Sequence, residues 1–428
     1  MTFSSSDLAH LIVALVLLLA AAHGGGFLFR RLRQPPVIGE VLGGLLLGPT
    51  LLGALLPGWE RWIFADSAAT ATALGAIFQL GLLLLLFSSG AEIRALFHHG
   101  ERKAVALITL TGTALPFVFA LLLLRVIDVS PYLGPAQSRS AFTMVFAIGV
   151  AVTSIPVISR ILHDLGILES PFARIILSSA VVEDVLLYVL VAIALSQVGK
   201  VGSRPFGVPG LLGIAGTSHV GMAYYTAVPL AFLLISLLVG PLLFRWGSSC
   251  RFNFLRQGSS IAHLLVILLL MTGVATSLGV TPMFGALMAG IITGQPSEEP
   301  ERPRHVIATF SFAFFIPIYF ASVGLKLDLL HSFSPAFFLA FLAFACAAKA
   351  LSVYGGARLA GESPASSLNL AVAMNARGGP GLVLASLAYE ADIVSQSFYA
   401  VLVMLSLVTS LLAGSWLDLV VRRGWKLR

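Results

Sequence analysis

Charged residues are scarce in this chain of 428 residues, where Asp, Glu, Lys and Arg together make up 11% of the positions. A water-soluble domain usually carries about 25%. Hydrophobic residues account for 58% of the chain, and the mean hydropathy is +0.97. So few charges cannot cover a water-facing surface, and we therefore expect a protein that crosses a membrane many times.

Cysteine is also rare, and the two that occur, Cys250 and Cys346, exclude a disulfide framework and form no metal-binding motif. The sequence lacks a nucleotide-binding loop, a nucleophile elbow and a zinc-spaced cluster, so we expect neither an enzyme nor a cofactor. The net charge of +7 does not indicate nucleic-acid binding, because the basic residues lie mostly in short loops. The first apolar run follows Asp7 without a basic segment, which indicates a first span rather than a cleaved signal.

Apolar runs near 20 residues long predict transmembrane helices, and the fold class we expect is an all-α membrane protein. We count thirteen such runs, although the ninth is short and twelve is the alternative. The chain ends soon after the last run, so no soluble regulatory domain is expected. The predicted spans are residues 8–29, 37–56, 70–91, 104–127, 140–162, 172–197, 222–244, 261–278, 281–294, 305–325, 333–357, 366–388 and 396–420.

The Lys and Arg residues of the loops test this division. With the N-terminus outside and thirteen spans, the loops predicted to be inside hold roughly three times as many as the loops outside. With twelve spans this bias is lost over one half of the chain. Thirteen spans with the seventh as a linker make spans 1–6 and 8–13 enter the membrane from opposite sides, which is the inverted repeat of many secondary transporters.

Two spans in matching positions of this predicted repeat contain helix breakers. In span 5, Pro156 follows Thr153 and Ser154; in span 12, Pro380 lies among three glycines, just after Asn375 and Arg377. Each proline leaves a carbonyl four residues earlier without its helical donor. Interrupted backbone within a membrane is tolerated only against protein or a wet cavity, so the two breaks predict a site near the midplane.

An acidic pair lies within the sixth span, where Glu183 and Asp184 are surrounded by apolar residues. A charge at this depth costs roughly 2.5–3.5 kcal/mol, so the pair is a candidate ion or proton site. Neighbours on a helix point roughly 100° apart, so one carboxylate should face the cavity and the other a partner. Lys349 in span 11 is the expected partner, either as a structural counter-ion or with a role in transport. Arg377 is expected to neutralise a carboxylate or to hold the stranded carbonyls.

Seven stretches carry a resemblance that covers nearly the whole chain. They are QPPVIGEVLGGLLLGPTLLG at 34–53, GLLLLLFSSGAEI at 81–93, AVTSIPVISRIL at 151–162, AVVEDV at 180–185, GVTPMFGALMAGIITG at 279–294, PIYFASVGLKLDL at 317–329 and MNARGGPGLVLA at 374–385. In this order and spacing the chain resembles the monovalent cation:proton antiporter-2 family, which includes bacterial sodium/proton antiporters and the membrane part of Kef-type potassium/proton systems.

The resemblance implies a homodimer in which a core with two crossed, discontinuous helices moves against a dimerisation scaffold. The core would comprise residues 103–197 and 333–420, the scaffold residues 1–93 and 261–325, and the linker helix residues 222–244. The Kef-type nucleotide-binding domain is not expected.

The resemblance also assigns roles to individual residues. Asp184 would bind the cation or the proton in turn, beside the unwound crossing that contains Thr153 and Ser154. Lys349 would pair with the first acidic position. The family usually has Asp, Asn or Gln at that position; here it is Glu183, which leaves the number of charges moved per cycle open.

The predicted function is secondary antiport of Na⁺ or K⁺ against protons by alternating access, in the inner or plasma membrane of a bacterial cell with the C-terminus in the cytoplasm. The first alternative is a cation channel, which would not need a titratable Asp184. The second is a symporter of organic anions, in which Arg377 or Lys349 would meet the anion. The choice between Na⁺, K⁺ and Li⁺ depends on cavity geometry and stays open.

Overall fold

The helices of the chain follow the predicted spans closely. The computed structural model describes residues 4–64, 66–95, 102–196, 198, 207–214, 219–249, 253–294 and 302–427. The helices of the first half are α1 Ser5–Arg31, α2 Pro36–Leu47, α3 Leu52–Leu55, α4 Pro57–Phe64, α5 Ala68–Ala95, α6 Arg102–Leu123, α7 Arg139–Ala151, α8 Ile155–Asp164, α9 Pro171–Ser196 and α10 Val208–Leu211.

The second half continues the same pattern of long helices joined by short turns. Its helices are α11 His219–Leu238, α12 Gly240–Ser249, α13 Phe254–Gly258, α14 Ser260–Ser277, α15 Pro282–Thr293, α16 Arg302–Phe310, α17 Ile316–Leu325, α18 Pro335–Ala360, α19 Pro364–Ala373, α20 Gly378–Glu390 and α21 Gln396–Arg422. A π-helical turn, Ser311–Phe315, joins α16 to α17. Cys250 lies outside the described residues.

The long apolar helices bear out a protein that crosses the membrane many times. Among the described residues, nine helices are long and apolar enough to span a bilayer, and a pair bent by 45°, Ala223–Leu238 with Gly240–Ser249, makes ten if it is one span. The predicted span 104–127 is shorter than expected because α6 ends at Leu123. The total of thirteen crossings and the inverted repeat remain predictions.

Two predicted spans, 140–162 and 366–388, are each divided into two helices. The first is α7 and α8, separated by residues 152–154, and the second is α19 and α20, separated by residues 374–377. Both interruptions were expected, but the second lies before the glycines rather than at Pro380. Pro380 is the third residue of α20, where its missing N–H has no helical partner in any case, so the proline begins a helix there instead of breaking one.

The chain contains two compact units, and the first comprises Met1–Phe78, His98–Leu187 and Pro317–Arg428. Within it, α1 packs on α2, α6 packs on α18, and α20 packs on α21, while α8 contacts both α20 and α21. Glycines allow the closest approach. A Cβ atom on Gly44 of α2 would overlap the carbonyl oxygen of Ala321 in α17, and one on Gly324 of α17 would overlap that of Val41.

The second unit comprises Gln79–Phe97 and Tyr188–Ile316. Helix α15 is its centre, because α11, α12 and α14 all pack on it and all its residues after Pro282 are buried. Here too glycines meet backbone: a Cβ atom on Gly90 of α5 would overlap the carbonyl oxygen of Leu287, and one on Gly290 would overlap that of Phe87.

We expect Gly44→Ala to destabilise the protein, because the added methyl group occupies the position of the Ala321 carbonyl oxygen. Overpacking of this kind usually costs about 1–3 kcal/mol. Gly75→Ala in α5 is the matched control, since a Cβ atom there meets nothing within 4 Å. The melting temperature of each purified variant in detergent is the measurement. Equal melting temperatures for the two variants would contradict the close α2–α17 packing.

Candidate ion-binding site

The first helix break is an extended segment whose polar groups bind the second break. Val152 and Ser154 have extended backbone, and the Ser154 hydroxyl caps α8 by accepting from the N–H of Val157. The Ser154 N–H donates to the carbonyl oxygen of Ala376 at 2.7 Å, and the Thr153 hydroxyl donates to that of Met374 at 2.8 Å. The Ala376 carbonyl, expected to be stranded by Pro380, is therefore satisfied by the other break.

The second break needs glycine at the start of α20. Gly378 has φ of +26°, and a Cβ atom there would overlap the side chain of Val157. Its N–H donates to the Ser410 hydroxyl of α21 at 3.1 Å. The two breaks therefore approach each other closely enough that only a residue without a side chain fits between them.

Arg377 is the last residue of the second break, and none of its surface is exposed. Its Nε donates to the carbonyl oxygen of Gly149 at 3.0 Å, and its Nη2 donates to those of Val150 and Ala345 at 3.0 and 2.9 Å. Its Nη1 donates to the backbone and side-chain oxygens of Asn375. Of the two roles considered for Arg377, the structure shows the one that holds carbonyl groups.

Lys349 forms the ion pair expected from the sequence, with Glu183. Its Nζ lies 2.9 Å from both carboxylate oxygens, and the side chains of Lys349 and Glu183 are 0% and 3% exposed. The same ammonium donates to the carbonyl oxygens of Gly112 at 2.8 Å and Ala151 at 2.6 Å. One buried cation thus joins α6, α7, α9 and α18, and its three hydrogens have four acceptors to share.

Asp184 is as deeply buried as this pair, at 1% exposure, but its surroundings differ. Its Oδ1 makes no hydrogen bond with the described residues. A buried carboxylate oxygen without a donor is unfavourable unless a proton or a cation occupies it. Of the two neighbouring carboxylates, Glu183 therefore has its partner within the protein, whereas Oδ1 of Asp184 has none among the described residues.

The structure brings the predicted residues together in two groups that share the C-terminal end of α7. Arg377 binds the carbonyls of residues 149 and 150, and Lys349 binds that of residue 151. Two positions were not predicted. Gly112 lets α6 approach Glu183, since a Cβ atom at residue 112 would lie 3.1 Å from Glu183 Oε1. The Ser410 hydroxyl accepts a hydrogen bond from the N–H of Gly378. A small residue between two threonines was the only sequence signal for Gly112.

Comparison with known proteins shows the family to which the chain belongs. A family model described as "Sodium/hydrogen exchanger, transmembrane" matches residues 14–423. The chain belongs to this family. Its structure is similar to that of the sodium proton antiporter MjNhaP1 from Methanocaldococcus jannaschii, solved at pH 8, with a TM-score of 0.59 and 15% identity over 97% of this chain and 98% of that one.

Two relatives of this exchanger-family chain differ in how much of their own length it covers. It is 26% identical to the Na(+)/H(+) antiporter NhaS4 of Synechocystis over 417 residues, which make up 96% of this chain and 97% of NhaS4. It is 28% identical to Cation/H(+) antiporter 18 of Arabidopsis thaliana over 411 residues, which make up 93% of this chain but 47% of that protein. The chain thus spans about half the length of the plant relative and nearly all of NhaS4.

We expect Lys349→Met to destabilise this exchanger-family protein strongly, because the change leaves Glu183 buried without its partner. Loss of one member of a buried ion pair usually costs about 3–5 kcal/mol. The double variant Glu183→Gln, Lys349→Met removes both charges and should recover most of that loss. Thermal melting of the purified variants provides the measurement. A double variant that melts as low as the single variant would show that the pair is not the reason for the instability.

Proposed function

We propose that this protein exchanges a monovalent cation, Na⁺ or K⁺, for protons by alternating access, with Asp184 as the residue that binds each in turn. The observation that carries the proposal is the Oδ1 of Asp184, a buried carboxylate oxygen with no hydrogen bond among the described residues. Asp184 directly follows Glu183, whose carboxylate is already paired with Lys349. The chain belongs to a family of sodium/hydrogen exchangers.

Coupling follows from competition for one carboxylate. A proton and a cation both neutralise Asp184, and one carboxylate cannot hold both at once. The unoccupied carboxylate would have to carry an uncompensated charge through the barrier, which is expensive in a low-dielectric environment. The occupied forms therefore change conformation readily and the empty form does not, so that exchange is favoured over leak.

Thr153 and Ser154 support the same proposal as further ligands of the cation. Both are fully buried in the extended segment between α7 and α8, and each hydroxyl retains an oxygen lone pair beside the bond it makes. A hard monovalent cation binds oxygen ligands of this kind. Asn375 and Arg377 would hold the opposite segment in place, because their hydrogen bonds connect residues 374–377 to α7 and α18.

Glu183 and Lys349 are proposed as a second charged pair that changes during the cycle. Their ion pair compensates the charge of both groups while it is intact. Breaking it in another conformation would release or take up a second proton, so that the pair would set the net charge moved per cycle.

The wider organisation belongs to the same proposal. We place the N-terminus outside and the C-terminus in the cytoplasm of a plasma membrane, and we expect a homodimer whose scaffold helices hold the core. An anion symporter is less well supported, because Arg377 already donates to four backbone carbonyls and to the side-chain oxygen of Asn375. A channel is also less well supported, because Thr153 and Ser154 are fully buried.

We expect Asp184→Asn to abolish exchange, because an amide neither takes up a proton nor carries the charge that binds the cation. Proteoliposomes with an imposed pH gradient and a fluorescent pH reporter should show dequenching on addition of Na⁺, Li⁺ or K⁺ in turn for the unmodified protein. The signal of Asp184→Asn should equal that of empty liposomes. Asp128→Asn, in an exposed loop, is the control and should retain activity. Activity retained by Asp184→Asn would reject the proposal.

The role of the ion pair has a separate test. The double variant Glu183→Gln, Lys349→Met leaves Asp184 in place, so it should still exchange, but with less charge moved for each cation transported. Current from liposomes on a solid-supported membrane, divided by the cation flux measured on the same preparation, gives that ratio. An unchanged ratio would leave Glu183 and Lys349 as structural residues only.

A further inference from the structure

A cavity of about 440 Å³ lies between the turn from α1 to α2, helix α8 and the C-terminal part of α21. Its lining includes three arginines and one carboxylate, Arg30, Arg33, Arg160 and Asp418. All of these residues belong to the first compact unit. The predicted topology puts this end of the helices in the cytoplasm, because the loop after span 1 and the end of span 13 are both among the inside segments.

The charge of the lining is positive. Asp418 Oδ2 lies 2.8 Å from Arg422 Nε, and its Oδ1 lies 3.8 Å from Arg33 Nη1, so the carboxylate already faces two guanidinium groups. Three positive charges line the cavity against one negative charge. Such a lining repels cations and attracts anions, so the cavity is unsuited to be an entrance for the transported cation.

The backbone that carries these arginines is held in a defined turn. Arg33 has a left-handed φ of +56°, which a residue with a side chain rarely adopts. The turn is fixed because the Gln34 N–H donates to the carbonyl oxygen of Phe29 and the Gln34 side chain donates to the Ser415 hydroxyl of α21 at 3.2 Å. Gly414 leaves room for that contact, since a Cβ atom there would come within 3.0 Å of Gln34 Oε1. A turn that is fixed in advance lowers the entropic cost of binding a ligand.

We propose that this cavity binds an anion with a phosphate group, either the headgroup of an anionic lipid or a soluble phosphate compound. The planar guanidinium group donates two parallel hydrogen bonds to phosphate oxygens, which is why arginine dominates such sites. Basic pockets between transmembrane helices on the cytoplasmic side bind anionic lipid headgroups. The proposal concerns a site apart from Asp184 and does not depend on the exchange reaction.

Arg160 and Arg33 lie on different structural elements around the cavity. Arg160 lies on α8, the helix that begins directly after the break at residues 152–154, whereas Arg33 lies in the turn that follows α1. An anion that contacts both would bind the broken helix to the α1–α2 turn.

The test measures binding to the full chain purified in detergent. The probes are dioleoyl phosphatidylglycerol, dioleoyl phosphatidylcholine and inorganic pyrophosphate, each titrated and followed by native mass spectrometry and by the melting temperature. The anionic lipid or pyrophosphate should bind more tightly than the zwitterionic lipid. Arg33→Gln with Arg160→Gln should weaken that binding roughly tenfold or more, because it removes two of the three guanidinium groups that line the cavity.

A matched control removes the same charge elsewhere. Arg31 and Arg423 do not line the cavity and lie over the rings of Phe27 and Trp425, at 4.6 and 5.1 Å from the centroids. Arg31→Gln with Arg423→Gln should change the binding by no more than about twofold, because neither contacts the site. Equal losses in the two double variants would overturn the proposal, and so would equal binding of the anionic and zwitterionic lipids.

Asp418→Asn provides a variant with the opposite expectation. It removes the carboxylate that competes for Arg33 and Arg422, so anion binding should tighten by about threefold or more. A poorly folded variant would not bind more tightly, so this result distinguishes a real site from general damage.

Binding of phosphatidylglycerol alone would identify the headgroup as the ligand, and binding of pyrophosphate as well would identify a soluble phosphate. No tightening in Asp418→Asn would count against the site.

Discussion

The C-terminal end of α7 is the constraint on which the site depends. A helix that stops inside a membrane leaves its last carbonyls without donors, and these carry the negative end of the helix dipole. Here three successive carbonyls, those of residues 149 to 151, accept hydrogen bonds from two buried cations, Arg377 and Lys349. The break provides the negative partners that allow both cations to be buried, and the cations satisfy the backbone that the break exposes.

The hydrogen bonds of these buried cations also explain the charge pattern of the site. Lys349 has a carboxylate partner in Glu183 besides its backbone acceptors, so that pair is satisfied within the protein. Arg377 spreads its charge over carbonyl groups. Among the described residues, Asp184 has a buried carboxylate oxygen that makes no hydrogen bond. Under the proposed exchange, a cation or proton bound at this oxygen would compensate the charge of Asp184.

Much of the architecture could be predicted because each apolar span is defined by local composition. The predicted span 261–278 corresponds to Ser260–Ser277, and the predicted span 281–294 to Pro282–Thr293. The position of the first break could be predicted as well, since a proline and two hydroxyl residues mark it in the sequence. The second break lies a few residues before Pro380, where we expected it. A proline breaks a helix from the inside but is tolerated in the first turn, and the sequence does not show where the helix begins.

The sequence by itself determined that the chain is a membrane protein and where its spans lie. It also determined that four ionisable residues lie well inside those spans and are candidates for a functional site: Glu183, Asp184, Lys349 and Arg377. Those properties follow from hydrophobicity and from the energy of burying a charge, which depend on residue type alone. Only the tertiary structure decided which backbone carbonyls share Lys349 with Glu183, that Arg377 binds carbonyls, and that Ser154 and Ala376 join the two breaks. These choices depend on distances between residues more than 150 positions apart, which packing sets and no local pattern records.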